Sequence, residues 1–99
     1  MTRAEVIARL KTVEPALRQR EVAALYLFGS HARDEARTDS DLDVFVDLAD
    51  ENAFGLTPFF ETLTVLQQTF PGIELGYSTR DSIVPCYRPY IEDGAIQVF

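Results

Sequence analysis

The chain has one cysteine, one histidine and, beside eight arginines, a single lysine. Each scarcity excludes something. Cys86 has no second cysteine to bridge and no histidine or cysteine at ligand spacing, so neither an intramolecular disulfide, a thiol nucleophile nor a zinc site is expected, and the reducing cytoplasm is the expected compartment. With Lys11 as the only lysine and a net charge of −7 from 16 acidic and 9 basic residues, there is no broad basic surface for a nucleic-acid backbone, and no direct nucleic-acid partner is expected. A nucleotide ligand stays open, because bound divalent cations would carry the positive charge such a site needs. No apolar run approaches the ~20 residues that cross a bilayer, and the N-terminus lacks the charged-then-apolar pattern of a secretion signal, so no membrane partner is expected. Repeats, low-complexity stretches and long linkers are also missing. What remains is 99 residues with 46% apolar and 25% charged composition, enough for one hydrophobic core and too little for two, which predicts a single domain over residues 1–99.

Periodicity then orders the elements. Thr2 and Glu5 have capping-box spacing, and Val6, Leu10, Val13 and Leu17 recur at helical intervals, with a kink or break expected at Pro15. Val22–Phe28 is an apolar run of strand formers that stops at Gly29-Ser30. Leu42, Val44 and Val46 alternate with Asp41, Asp43, Phe45 and Asp47, a second strand with two chemically different faces. Thr57-Pro58 is read as the cap and first position of a helix near 58–70, and Pro71-Gly72 ends it. A third strand over Ile73–Ser78, a short helix capped by Thr79, another over Tyr87–Asp93 and an apolar tail Ala95–Phe99 complete the chain. Helices and strands interleave, which predicts an α+β fold: a small mixed sheet with helices packed mainly on one face.

Chemistry concentrates in "LFGSHARDEARTDSDLD", where Gly29-Ser30 closes one strand and, ten residues later, Asp41 and Asp43 open the next. Residues two apart on a strand share a face, so the two carboxylates stand side by side and can share metal ions. Magnesium takes oxygen ligands, typically one or two carboxylates together with substrate phosphates. Gly29 lets the backbone turn sharply and approach a ligand closely. Ser30 is suited to start a helix whose hydroxyl and free N–H groups would receive phosphates, and Arg33, one turn on, would reach phosphate or a partner. A lone Gly-Ser is usually a turn and a lone Asp-x-Asp usually a solvated strand edge. Four specified residues at fixed spacing, however, arise by chance in about one chain of this length per thousand, from average residue usage.

These residues resemble the signature of the DNA polymerase β-like nucleotidyltransferases, Gly-Ser, ten residues, Asp-x-Asp, and the chain's brevity makes it similar to their minimal nucleotidyltransferase (MNT) members. "LYLFGSHAR" and "SDLDVFV" match in detail; beyond residue 50 the match is one of element order. The resemblance implies a palm-like fold, ATP as donor of AMP, Mg2+ as cofactor, and catalytic and metal-binding roles for Asp41, Asp43 and a third acid on a later strand. "GIELGYS" makes Glu74 that third acid, where the family usually has Asp. Gly29, Ser30 and Arg33 become the triphosphate-binding residues, and Asp34 stands where the family often has Gly. The resemblance further implies an antitoxin role, with a HEPN ribonuclease toxin as partner and a toxin tyrosine as acceptor. The alternative is a binding module that neutralises a toxin by coverage alone. A modifier of small molecules fits less well, since a minimal core leaves no material for a dedicated pocket.

Lesser candidates are read blandly. His31 is expected to face solvent. Asp39 and Ser40 serve as a turn or, for Ser40, as a hydrogen-bond support for Asp41. Tyr77, Tyr87 and Tyr90 are expected in core and rim packing rather than adenine stacking, and Arg80 and Arg88 are expected as solvated surface charge.

Overall fold

A computed structural model describes all residues, Met1–Phe99. Helix α1 spans Arg3–Thr12, and the Thr2 hydroxyl caps it by accepting from the Glu5 N–H at 3.2 Å. The helix stops at Val13 and a second, α2, runs over Glu14–Arg18 with Pro15 in its first turn. Proline therefore starts a helix here rather than bending one, because its missing N–H falls where no intrahelical bond is due. Strands β1 (Val22–Phe28) and β2 (Leu42–Leu48) follow. Helix α3 is Leu56–Thr69; its cap is Gly55, without a side-chain bond, so Thr57 lies inside the helix instead of capping it. Strand β3 (Leu75–Thr79), a 3-10 turn Arg80–Ser82, helix α4 (Arg88–Asp93) and strand β4 (Ile96–Gln97) close the chain.

The strands form one mixed sheet in the order β3-β2-β1-β4. β1 is antiparallel to β2 and β4, whereas β2 and β3 are parallel, joined through α3. The tail docks further than β4 alone: Val98 donates to the Leu25 carbonyl at 2.8 Å and Leu25 to that of Phe99 at 3.1 Å.

Alternation gives the sheet two unlike faces. On one, Leu25, Leu27, Leu42, Val44 and Val46 are fully buried against Val6, Leu10, Leu17, Leu66 and Phe70 of the helices. Each such side chain contributes about 1.5–3 kcal/mol relative to exposure. Tyr77 belongs to this layer: it stacks on Phe59 with ring centroids 5.1 Å apart, and its hydroxyl lies 2.7 Å from that of buried Thr62. Burial raises its phenol pKa. The opposite face carries Tyr26, Phe28 and Phe45 next to the alternating aspartates of β2, with Tyr26 and Phe45 stacked at 4.8 Å. Arg80 lies over both rings, 4.8 and 4.9 Å from their centroids, and clamps Asp47 through bonds of 2.6 and 3.0 Å. Glu92 of α4 pairs with the same guanidinium at 3.4 Å. Arg80 is therefore a structural anchor, and Arg88, which donates to the Ile83 carbonyl at 3.2 Å, is another. The expectation of solvated surface charge fails for both, because each guanidinium has acceptors and rings or carbonyls fixed around it.

Candidate functional site

Strand directions bring distant parts of the motif to one end of the sheet. Because β1 and β2 are antiparallel, with Phe28 opposite Asp43, the chain leaves β1 beside the start of β2 and the Gly29-Ser30 turn falls next to Asp43. Because β2 and β3 are parallel, with Leu42 beside Leu75, the start of β3 lies at the same end. Continuing that register by one pair sets Glu74 beside Asp41, and the Leu42 N–H donates to the Glu74 carbonyl at 2.9 Å. Three segments far apart in sequence thus meet where the two aspartates are.

The inner carboxylate, Asp43, is held between two glycines. A Cβ placed on Gly29, whose φ is +75°, would stand 2.5 Å from Asp43 Oδ2, and a Cβ on Gly76 would collide with Asp43 Oδ1. Gly29 is required twice over, by its left-handed backbone and by this approach. Gly76 escaped the sequence reading; a glycine inside a strand, in "ELGYS", is the signal that marks close approach by another group. With Phe28 opposite it, Asp43 is half-buried. Burial first, and the neighbouring Asp41 charge second, push its pKa above the usual carboxylate range, against smaller opposing effects of His31 and Arg33.

No ion pair of the structure engages Asp41, Asp43 or Glu74. Two neighbouring carboxylates that repel one another, with no arginine in ion-pair contact with either, are a donor set suited to a hard divalent cation, and in this respect the residues fit magnesium. Glu74 is exposed, and no three acidic, histidine or cysteine side chains converge into a ready metal-binding group. Asp41 acts on the charge of Asp43, and the glutamate shares their edge of the sheet without closing on them.

Ser30 does not begin an α-helix. Residues 29–34 form consecutive hydrogen-bonded turns, with Arg33 N–H donating to Gly29 O at 3.2 Å and Glu35 N–H to Ser30 O at 2.9 Å. Arg33 is exposed and pairs with Glu35 at 3.2 Å, near enough to Asp43 to act on its charge. Asp34 adopts a left-handed conformation, φ 57°, and its carboxylate accepts from the Arg3 N–H at 2.9 Å. That backbone angle is the physical reason a glycine suits this position, and it stops the turns from extending into a helix.

Two further expectations are corrected. His31 is buried, 3% exposed, with hydrogen-bond partners for neither ring nitrogen. It packs beneath the turn because the tight backbone after Gly29 directs residues 31 and 32 inward. Ser40 acts as a turn residue, its hydroxyl accepting from the Arg37 N–H at 2.8 Å, and does not support Asp41. Tyr87 and Tyr90 are exposed on and beside α4, outside the core and rim role expected of them, and Cys86 is free.

The model of the nucleotidyltransferase domain family matches residues 10–93, taking in the turn, the aspartate pair and Glu74. The chain belongs to that family. A "putative protein adenylyltransferase" of Methanocaldococcus jannaschii is 29% identical over 72 residues, covering 73% of this chain and 68% of that protein. A solved "putative minimal nucleotidyltransferase" superposes with a TM-score of 0.81 at 27% identity, over 97% of this chain and 95% of the other. A toxin–antitoxin crystal structure with AMP-PNP shares the fold, with a TM-score of 0.59 at 18% identity over 100% of this chain and 73% of that one. The nucleotidyltransferase domain described here has the small mixed sheet of these neighbours, and no helix in it is long and apolar enough to cross a membrane.

Proposed function

We propose that this nucleotidyltransferase transfers AMP from ATP to a hydroxyl of a partner protein, a tyrosine of a HEPN ribonuclease toxin, and so acts as an antitoxin. The observation that carries this reading is the contact between the Gly29 turn and the Asp43 carboxylate, with Asp41 near enough to act on the same charge. Phosphate bound by the turn and cations bound by the aspartates would then meet at one place. The adenylyltransferase relative and the nucleotide analogue in the toxin–antitoxin neighbour support the choice of ATP and of a protein acceptor.

Asp41 and Asp43 would hold magnesium, with Glu74 at the edge of the pair. Bound there, the cation supplies charge neutralisation of the triphosphate. Gly29 and Ser30 position the β- and γ-phosphates, and Arg33, released from Glu35, reaches the same oxygens. The acceptor hydroxyl oxygen forms a bond to the α-phosphorus as the bond to the β-phosphate oxygen breaks, and pyrophosphate leaves. Glu74 takes the hydroxyl proton. The chain's contribution is positioning and electrostatics, as expected for phosphoryl-type transfer.

The test is transfer of label from α-labelled ATP, with magnesium, to a purified HEPN-type toxin. The expected result is a stable AMP adduct on the toxin, absent with Asp41→Ala plus Asp43→Ala. A wild-type protein no better than that double variant rules out transfer. A second reading, neutralisation by coverage, draws on the failure of Glu74 to converge with the aspartates and on the exposed Val84, Tyr87 and Tyr90. It predicts that the double variant still neutralises the toxin.

A further inference from the structure

Among the polar groups near the site, one is unexplained. His31 is almost wholly enclosed, yet neither Nδ1 nor Nε2 has a hydrogen-bond partner. Leaving buried polar atoms unpaired is costly, and a native structure that does so usually has a use for them. His31 lies two residues beyond Gly29, whose backbone presses on Asp43, and its ring is near enough to that carboxylate to act on its charge. Asp43 lacks a donor as well: it takes part in no ion pair, and the histidine next to it is bonded to nothing. An enclosed donor without an acceptor and a half-buried acceptor without a donor are therefore neighbours at the Gly29 turn. Enclosure also argues against a direct contact between the ring and a nucleotide, since the ring nitrogens are closed to solvent.

We infer that His31 is a positioning residue for Asp43: a ring N–H, brought round by a side-chain rotation, donates to the carboxylate and holds it in the orientation that presents its other oxygen outward, beside Asp41. The two glycines crowd the carboxylate oxygens but have no side chain that could donate a hydrogen bond to either. A bond from His31 would fix which carboxylate oxygen faces outward before a cation arrives. Partners of this kind are worth about 10–100-fold in cation affinity in other metal sites. The role uses the neutral imidazole N–H and requires no change of charge. It rests on the proposal that Asp41 and Asp43 form the cation site.

Mn2+ binding, followed by the loss of its free paramagnetic resonance signal without nucleotide, separates the possibilities when read beside the melting temperature of the cation-free protein. His31→Leu is expected to weaken Mn2+ binding about tenfold or more while leaving the melting temperature equal or higher, because an unpaired buried polar ring has been replaced by an apolar side chain of similar size. One of the amide variants, His31→Asn or His31→Gln, is expected to restore affinity to within about threefold, since each offers an N–H at one of the two ring positions. His31→Met serves as the apolar variant if leucine does not fold. Unchanged affinity in the apolar variant overturns the inference and leaves the aspartate site standing. Losses that are equal in the apolar and both amide variants and follow a fall in melting temperature also overturn it, by making His31 a packing residue. If Asp43→Asn binds Mn2+ as well as the wild type does, the cation site itself is wrong and the inference falls with it.

Discussion

The two ends of β2 put aspartates on the same face of the same strand and treat them in opposite ways. At one end Asp47 is gripped by Arg80 through two bonds, with Glu92 completing the cluster and aromatic rings beneath the guanidinium. At the other, Asp43 is pressed between glycines with Asp41 beside it and no ion pair at all. The Arg80 guanidinium is held strongly protonated by its bond to Asp47, whereas Asp43 is pushed towards its protonated form. An arginine grips one carboxylate and none is in ion-pair contact with the other, four residues away, which leaves the second unpaired, as the proposed cation site requires. Residue type alone does not separate a structural acid from a functional one; the partner does.

That contrast breaks most severely at Gly29. Gly29→Ala forces a side chain into a left-handed backbone and against Asp43 at once, and it is expected to cost about 2–3 kcal/mol of stability as well as nearly all transfer activity. Denaturant titration beside the labelling assay reads both; full activity would mean that the turn and the carboxylate do not work together. Next comes Asp47→Ala, which strands Arg80. With both side chains partly exposed, screening limits the loss to about 1 kcal/mol. Transfer activity at a temperature where the variant is folded should be unaffected, since this end of β2 does no chemistry. A loss of activity greater than the loss of folded protein would erase the distinction between the two ends.

The smallest effect, and the sharpest in sign, concerns pH. Asp43 binds its proton more tightly folded than unfolded, so without cation its contribution to stability falls as pH rises from the ordinary value of 3.8 through the raised one, and stays lower at neutral pH. Asp43→Asn should remove that step and leave the cation-free protein as stable as the wild type or more so at neutral pH. Melting curves across the acidic range test this; a wild type that gains stability over the same interval relative to the variant would show that Asp43 has a partner after all.

Much of this was legible beforehand, and the limits have physical causes. Apolar alternation placed β1 and β2, and the Gly-Ser and Asp-x-Asp spacing picked out the candidate site, because strand periodicity and glycine chemistry are local properties. Relations between side chains far apart in the chain were not visible. Arg80 looked like surface charge because Asp47 is 33 residues away. His31 looked solvent-facing because polar residues near turns usually are, and only the packed turn shows it enclosed. Ser30 looked like a helix cap, but Asp34 takes a left-handed angle three residues after His31 and ends the turns. Gly76 could have been found, since a glycine in a strand across from an aspartate asks for an explanation, yet the parallel register that pairs them is a tertiary fact.

Titration calorimetry of ATP into this protein, with and without magnesium and with Asp43→Asn as control, addresses the central claim most directly. The account predicts binding that is strong only with magnesium, and an Asp43→Asn variant that has lost the difference. Equal affinity with and without magnesium, unchanged in the variant, would contradict it.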